Sequence, residues 1–468
     1  MQLVWFRNDL RTYDQRALAD AAQCGPVVAV YCLCPGQWHA HDVGGNRAAF
    51  VLAHLAALRD DLAALRIPLR IIETERFAGV PTALLALAQK IRAGTLWFND
   101  EYPLNEQRRD ALVERAFTEA GLSVKRCTDA LIFAPGSVQT GSGGPYTVFT
   151  PFRRRWAALF DRAAAAPVAT PFAQQDTGID GDALPRLPAG LEVTADIGAW
   201  PVGEASALDR LSTFVETRIR RYGVDRDFPA LDGTSALSPY LSLGVISPRT
   251  CLDAALDANE GRLDSGNEGI VTWVSELIWR EFYRHVIVAF PHVSRGRAFR
   301  PEYDAFPWRD DVEALAAWEQ GRTGFPLIDA AMRQLVATGW MHNRLRMVTA
   351  MFLSKNLLLD WHAGERFFMR HLLDGDFASN NGGWQWSAST GTDAAPYFRI
   401  FSPVSQSERF DPEGTFIRSW IPELTKMPAR ALHDPKRLGA VEGYPPAIVD
   451  AKTTRQRAID SFRAYAGG

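Results

Sequence analysis

The first 130 or so residues alternate short apolar runs with segments in which apolar positions recur every three or four residues. The runs LVWF (3–6), VVAVYCLC (27–34), PLRIIE (68–73), TLWFND (95–100) and SVKRCTD (123–129) predict strands. Helical periodicity near 14–22, 46–66, 81–92 and 105–120 fills the gaps between them. Such alternation predicts a doubly wound, parallel-sheet α/β domain over residues 1–130. Ala, Pro, Gly and Asp then dominate 160–205, so 131–205 is expected to be a long interdomain linker draped over the surface. Residues 206–468 read as one all-α domain. There Pro326 is placed to open a helix and Gly339 to close it, and LRMVTAMFLSKNLLLDW is apolar almost all round, as a buried helix should be.

One stretch fits neither period. In DGDFASNNGGWQWSASTGTDAAPY (374–397), acids, amides, glycines and tryptophans follow one another without an apolar stripe. The expectation is an irregular polar segment, either a loop stiffened by side-chain turns or a ligand-binding loop. In the second reading Asp374 and Asp376 accept hydrogen bonds, Asn380 meets a ring nitrogen, Gly382 and Gly383 admit close approach, and Trp384 and Trp386 are stacking surfaces.

Composition narrows the class. Of 468 residues, 47% are hydrophobic and 22% charged, as in an ordinary globular protein. The amino terminus is charged within seven residues, and no apolar run approaches the ~20 residues needed to span a bilayer, so neither leader nor anchor is expected. Five cysteines without a CxxC pair suit a reducing cytosol and argue against a metal site. The net charge of −3 does not favour nucleic acid, yet the second half is rich in arginine and can carry one basic face.

Three further segments could carry chemistry. In WVSELIWREFYRHV (273–286), Trp273, Glu276, Arg280 and Tyr283 form one helical stripe beside Trp279. The stripe is either a solvated face with a Glu–Arg pair worth about 0.3–0.5 kcal/mol or a grip for a planar polar ligand. In GWMHNRLRMVTAMF (339–352), Asn343, Met347 and Ala350 share a face next to Arg346, and taken singly they are better explained by a capped buried helix. GTSALSPYLSLGVISPR (233–249) offers hydroxyls and main-chain donors that could hold a pyrophosphate. The first strand, by contrast, runs into RNDLRTYD without the glycine-rich turn that cradles a dinucleotide.

Taken together, LVWFRNDLR (3–11), RDFPALDGTSALSPYLSLGVISPR (226–249), SELIWREFYRH (275–285), GFPLIDAAMRQLVATGWMHNRLRM (324–347) and 374–403 resemble the photolyase/cryptochrome family, specifically class I photolyases that repair cyclobutane pyrimidine dimers. The resemblance runs in order along essentially the whole chain. It implies an all-α domain holding FAD at Tyr222, Thr234, Ser235, Leu237, Trp273, Arg280, Asn343, Arg346, Asp374, Asp376 and Asn380. It implies contact with dimer-containing DNA at Glu276, Trp279, Asn343, Arg344, Met347 and Trp386, with phosphates met by arginines such as Arg226, Arg344 and Arg399. Trp384, Trp361 and Trp308 match the family's chain of tryptophans that carries an electron to the flavin, whose working form is the reduced anion.

Members acting on the (6-4) lesion carry histidines where Asn343 and Met347 stand, and many cryptochromes replace Asn380. Both features favour repair of cyclobutane dimers. A cryptochrome-like blue-light receptor remains the competing class, and a dark flavoprotein oxidoreductase a weaker one without a visible nicotinamide site. His41, Asn105 and Glu106 match folate-binding members, which implies a methenyltetrahydrofolate antenna, with Arg295 facing its glutamate tail; an empty pocket or a deazaflavin is the alternative. A cytoplasmic monomer is expected.

Overall fold

A computed structural model describes residues 1–466. Five parallel strands, β1 (Gln2–Phe6), β2 (Val27–Leu33), β3 (Leu69–Glu73), β4 (Thr95–Asn99) and β5 (Ser123–Cys127), form one sheet in the order β3-β2-β1-β4-β5. Helices α1 (Arg16–Cys24), α2 (Gly45–Ala64), α3 (Val80–Lys90) and α4 (Leu104–Glu119) connect them. The register sets Val4 beside Ala29 and Trp97, and Trp5 beside Val30 and Phe98. Both faces of β1 are covered: Val4 and Phe6 enter one buried cluster, Leu3 and Trp5 another. A continuous apolar run rather than an alternating one is what a central parallel strand requires. The doubly wound reading therefore holds, with each strand found within two residues of its expected bounds.

The segment after β5 is not all connector. It contains α5 (Phe149–Leu159), which packs on the helical half of the molecule, before a long irregular run reaches α6 (Glu204–Thr217). Its attachment is specific. Glu281 accepts hydrogen bonds from the Ile132 and Phe133 backbone N–H groups (2.7 and 3.1 Å) and from Trp156 Nε1 (2.7 Å). A buried carboxylate with three donors satisfies both sides of the contact. The two halves also share a buried ion network, in which Arg249 of α7 (Pro248–Ala258) reaches Asp14 and Asp129, and Arg11 reaches Asp129.

The helical half is organised around α8 (Glu268–Ala289), α9 (Pro326–Thr338), α10 (Asn343–Met351), α11 (Trp361–His371) and α12 (Phe377–Ala388). Pro326 opens α9, and Gly339, at φ 69°, closes it. The apolar stretch after α10 turns into a π-helical segment at Phe352–Leu357 and ends on Leu358 in the left-handed region. The expected single buried helix is therefore broken where the chain turns into α11.

Residues 377–388 correct the sequence reading. They form a regular helix, not a loop. No apolar stripe shows because α12 is packed on several sides: α8, α10 and α11 all contact it. Asp376 caps it, accepting from Ser379 N–H (3.0 Å) and Oγ (2.7 Å). Gly382 allows the approach of α8, because a Cβ there would collide with the Tyr283 ring, whereas a Cβ on Gly383 would meet nothing within 4 Å.

Candidate functional site

Helix α8, capped by Asn267, carries the expected stripe of Trp273, Glu276, Arg280 and Tyr283. Its residues face different partners. Trp273 is buried, its Nε1 3.4 Å from Ser235 Oγ, which ties α8 to the hydroxyl-rich segment containing Thr234, Ser235 and Leu237. Glu276 is partly exposed and paired with Arg226, which also lies over the Tyr222 ring at 5.7 Å. Burial pushes the Glu276 carboxyl above its ordinary range, with Arg226 opposing. Trp279 stacks on Phe149 of α5.

Arg280 is the electrostatic anomaly. Its guanidinium donates only to carbonyls, those of Ala130 (2.7 Å) and Leu241 (3.2 Å). Burial and the neighbouring Arg284 pull it down to about 9. Arg284 pairs with Asp376 at 2.8 Å, a residue the sequence stripe left out although it stands one turn from Arg280. Burial would raise Asp376, but Arg284 and Arg280 hold it below the usual carboxylate range. Asp376 is thus already an ion-pair partner and helix cap, accepting from Arg284 and Ser379. A second pair, Arg346 with Asp374, is bidentate at 3.0 and 2.8 Å and joins α10 to the start of α12.

On α10 the cap is His342, and Asn343 is the first helical residue. Its Nδ1 accepts from Arg344 N–H, and burial holds the imidazole at about 4, hence neutral. Asn343 is exposed, Met347 half-buried, and Arg344 pairs with Asp227 at 2.7 Å while lying over Phe410. Asn380 on α12 donates to the Glu365 carbonyl at 3.0 Å. Arg399 lies exposed in the loop beyond α12. Arg226 and Arg344, expected to meet phosphates, are both engaged by carboxylates.

The two tryptophans around Gln385 have separate surroundings. Trp384 is 2% exposed, with Phe368 at 4.9 Å and Trp318 at 5.9 Å, and a Cβ on Gly364 would collide with its ring. Trp386 is half-buried near Phe401. Trp361 and Trp384 share one buried cluster, and partly buried Trp308 packs against it.

A cavity of about 480 Å³ opens where β1 and β4 end, between the halves of the molecule. That is the crevice at which strand connections diverge in a doubly wound sheet. His41 bonds Gln37 (2.8 Å) and Asn105 (2.9 Å) there and lies 3.6 Å from Glu106. Burial pushes the Glu106 carboxyl up to about 7, and its Oε2 is buried without a partner. Arg280, Arg284 and Asp376 line the same cavity. Arg295 does not line it: Ser294 and Gly296 do, and Arg295 is exposed.

The residues fit a flavin dinucleotide. A half-buried guanidinium that donates only to carbonyls is suited to an anion, and the Ser235–Trp273 and Arg346–Asp374 contacts supply further donors and acceptors in the helical half.

Residues 2–171 match the model of the DNA photolyase domain, and 273–464 that of the FAD binding domain of DNA photolyase. The deoxyribodipyrimidine photo-lyases of Vibrio cholerae and Escherichia coli are each 42% identical; the alignments cover all of this chain and 100% and 99% of those proteins. The chain belongs to the DNA photolyase family. Among solved structures, it is similar to a class III photolyase from Agrobacterium tumefaciens, with a TM-score of 0.89 and 34% identity, covering 100% and 98% of the two chains. It is also similar to a Synechocystis cryptochrome, with a TM-score of 0.88 and 28% identity, covering 98% of each. A Sulfolobus tokodaii photolyase solved with two FAD molecules gives 0.82 and 30%, covering 99% and 100%. Among the described residues no helix is long and apolar enough to cross a membrane, and no acid, histidine and cysteine cluster could hold a metal.

Proposed function

We propose that the protein is a light-driven carbon–carbon lyase that repairs cyclobutane pyrimidine dimers in DNA. The observation that carries this reading is that one helix, α8, bears Trp273, Glu276, Trp279 and Arg280 together; in this reading Trp273 and Arg280 serve the flavin, and Glu276 and Trp279 the lesion. FAD is held by Tyr222, Thr234, Ser235, Leu237, Trp273, Arg280, Asn343, Arg346, Asp374, Asp376 and Asn380. When bound and reduced, the light-excited flavin supplies one electron and recovers it, which is the chemistry that ring cleavage needs. Arg280, whose guanidinium donates only to carbonyls, contributes positive charge to an anionic cofactor. Asn380 donates to a backbone carbonyl, which leaves its amide oxygen to accept.

Trp279 and Trp386 provide flat walls for an extruded dimer, whose poor stacking lowers the cost of flipping. Glu276, raised above its ordinary range, serves as donor to a pyrimidine carbonyl once protonated. Arg226, Arg344 and Arg399 meet the flanking phosphates, the first two by exchanging carboxylate partners for DNA. Trp384, Trp361 and Trp308 return the cofactor to its reduced state.

The His41–Asn105–Glu106 corner is the antenna site, and methenyltetrahydrofolate is the antenna. The orphaned Glu106 oxygen suits a pterin N–H donor, and Arg295, exposed outside the cavity lining, is left to meet the glutamate tail.

The likeness to a cryptochrome keeps a blue-light receptor as the alternative reading; Asn380, Asn343 and Met347 favour repair. The test is to illuminate photoreduced protein with UV-irradiated oligo(dT). Loss of dimers under blue light is expected, and unchanged dimers with reduced flavin present would leave the sensor reading. A near-ultraviolet folate band in purified protein, lost in Glu106→Ala, checks the antenna separately.

A further inference from the structure

His362, the second residue of α11, lies nearly flat on Trp361, with ring centroids 3.7 Å apart and planes inclined by 26°. Trp361 is 1% exposed, whereas His362 is partly buried and lines the sheet-side cavity. Both imidazole nitrogens face acceptors. Nδ1 is 2.7 Å from Asp360 Oδ1, and Nε2 is 3.2 Å from the Gly296 carbonyl oxygen. A neutral imidazole has one N–H and serves only one of them; the imidazolium serves both.

Few other charges bear on the ring. Burial opposes the cation, but Asp360, Glu365 and the Gly296 carbonyl outweigh it and raise the imidazole above its ordinary value. Arg366 of the same helix acts on Asp360 and Glu365. The facing turn brings the Gly296 carbonyl; its Arg295 is exposed, and its Arg297 is held by Asp304. From α12, uncharged Asn381 donates to Glu365.

We propose that His362 tunes the electron supply through Trp361: as the imidazolium it holds the stacked indole reduced, and as neutral imidazole it releases it to donate. The inference rests on the proposed Trp384, Trp361, Trp308 relay. In the step concerned, one electron passes from the Trp361 indole to the Trp384 indole radical cation. Trp384 is restored, Trp361 becomes the radical cation, and no bond forms or breaks. Trp308 then refills Trp361. A radical cation stacked against an imidazolium suffers like-charge repulsion. Loss of the imidazolium proton removes that repulsion and leaves the Asp360 carboxylate uncompensated beside the indole, which favours the radical cation. His362 is thus a positioning residue acting through Trp361.

The test uses the full-length, flavin-loaded protein. In an NMR titration of labelled histidines, the resonance missing from His362→Gln should titrate above the ordinary value of about 6.5. After a laser flash, the refilling of Trp384 should be roughly tenfold or more slower at low pH than at high pH, the effect expected of a unit charge about 4 Å from the oxidised ring. His362→Gln should be fast and His362→Arg slow at every pH. A pH profile in His362→Gln like that of the wild type, or titration of His362 at or below its ordinary value, overturns the inference and leaves the relay standing. If Trp361→Phe leaves photoreduction unchanged at all pH values, the relay itself fails and the inference with it.

Discussion

The rings of Trp279 and Phe149 lie parallel, with centroids 3.7 Å apart and planes 10° from coplanar. Trp279 belongs to α8 in the helical half, and Phe149 opens α5 in the segment after the sheet. Trp279, proposed above as a wall for the lesion, is therefore packed against a residue from the region that the sequence presented as a connector. Stacked aromatic pairs contribute about 0.5–1.5 kcal/mol beyond the area they bury. Phe149→Ala should lower unfolding stability by about 3 kcal/mol and weaken binding of dimer-containing DNA by roughly fivefold to tenfold, while flavin content stays normal. Denaturant titration and a gel-shift assay measure the two effects; unchanged DNA affinity would remove Phe149 from the site.

Glu276 gives a pH signature. Its carboxyl is raised by burial, so protonation begins above the ordinary glutamate range as pH falls. A raised carboxyl binds its proton more tightly in the folded state, so its contribution to stability is greatest at low pH and declines as pH rises through the folded value. Protonation also turns it from an acceptor for Arg226 into a donor. Affinity for dimer DNA should therefore gain a component on acidification that Glu276→Gln lacks, because the amide donates at every pH. Binding isotherms across the acidic range, at fixed salt, decide the point.

Glu281 is a structural counterpart without a place in the chemistry. Glu281→Ala orphans the Ile132 and Phe133 N–H groups and Trp156 Nε1. Each buried unsatisfied donor costs about 1–3 kcal/mol, partly recovered by water. The expected outcome is a loss of about 3 kcal/mol and faster proteolytic cleavage near 131–133, with the sheet still folded. Cleavage no faster than in the wild type would show that other contacts hold the segment.

The two adjacent glycines of α12 should behave differently. Gly382→Ala drives a methyl into the Tyr283 ring and should cost about 1–3 kcal/mol. Gly383→Ala meets no neighbour and should add about 0.5–1 kcal/mol through helix propensity. Thermal melts of the two variants compare them directly, and equal shifts would contradict the close approach of α8 to α12.

Trp384→Phe separates electron entry from repair. Photoreduction of oxidised FAD should slow by at least about tenfold, a change of about 1.4 kcal/mol in barrier, while repair by chemically reduced enzyme is largely spared. Trp386→Phe should show the opposite pattern, with weakened dimer binding and near-normal photoreduction. Steady illumination followed by absorbance, paired with a repair assay, measures both.

Much of the fold was legible because it is local. The strands of the α/β half were readable from buried apolar runs, and Pro326 and Gly339 marked the ends of α9 through backbone geometry alone. The stripe on α8 was readable for the same reason, since residues three and four apart share a helix face whatever surrounds them. Other features depended on partners distant in the chain. Arg284 could not be assigned to Asp376, 92 residues away, nor Arg226 to Glu276, 50 residues away, from periodicity on either segment.

The residues 374–397 divide the two kinds of information most clearly. The sequence by itself determined that Asp376 could cap, that glycines were available for close approach, and that two tryptophans were present. A helix packed by α8, α10 and α11 shows no single apolar face, so the hydrophobic pattern that identifies surface helices was absent. Only the tertiary structure decided that 377–388 is helical, that Gly382 rather than Gly383 is the contact point, and that Trp384 is buried while Trp386 is half-exposed. The physical reason is that burial and charge pairing are set by neighbours in space, which a linear pattern records only when those neighbours lie within a turn or two along the chain.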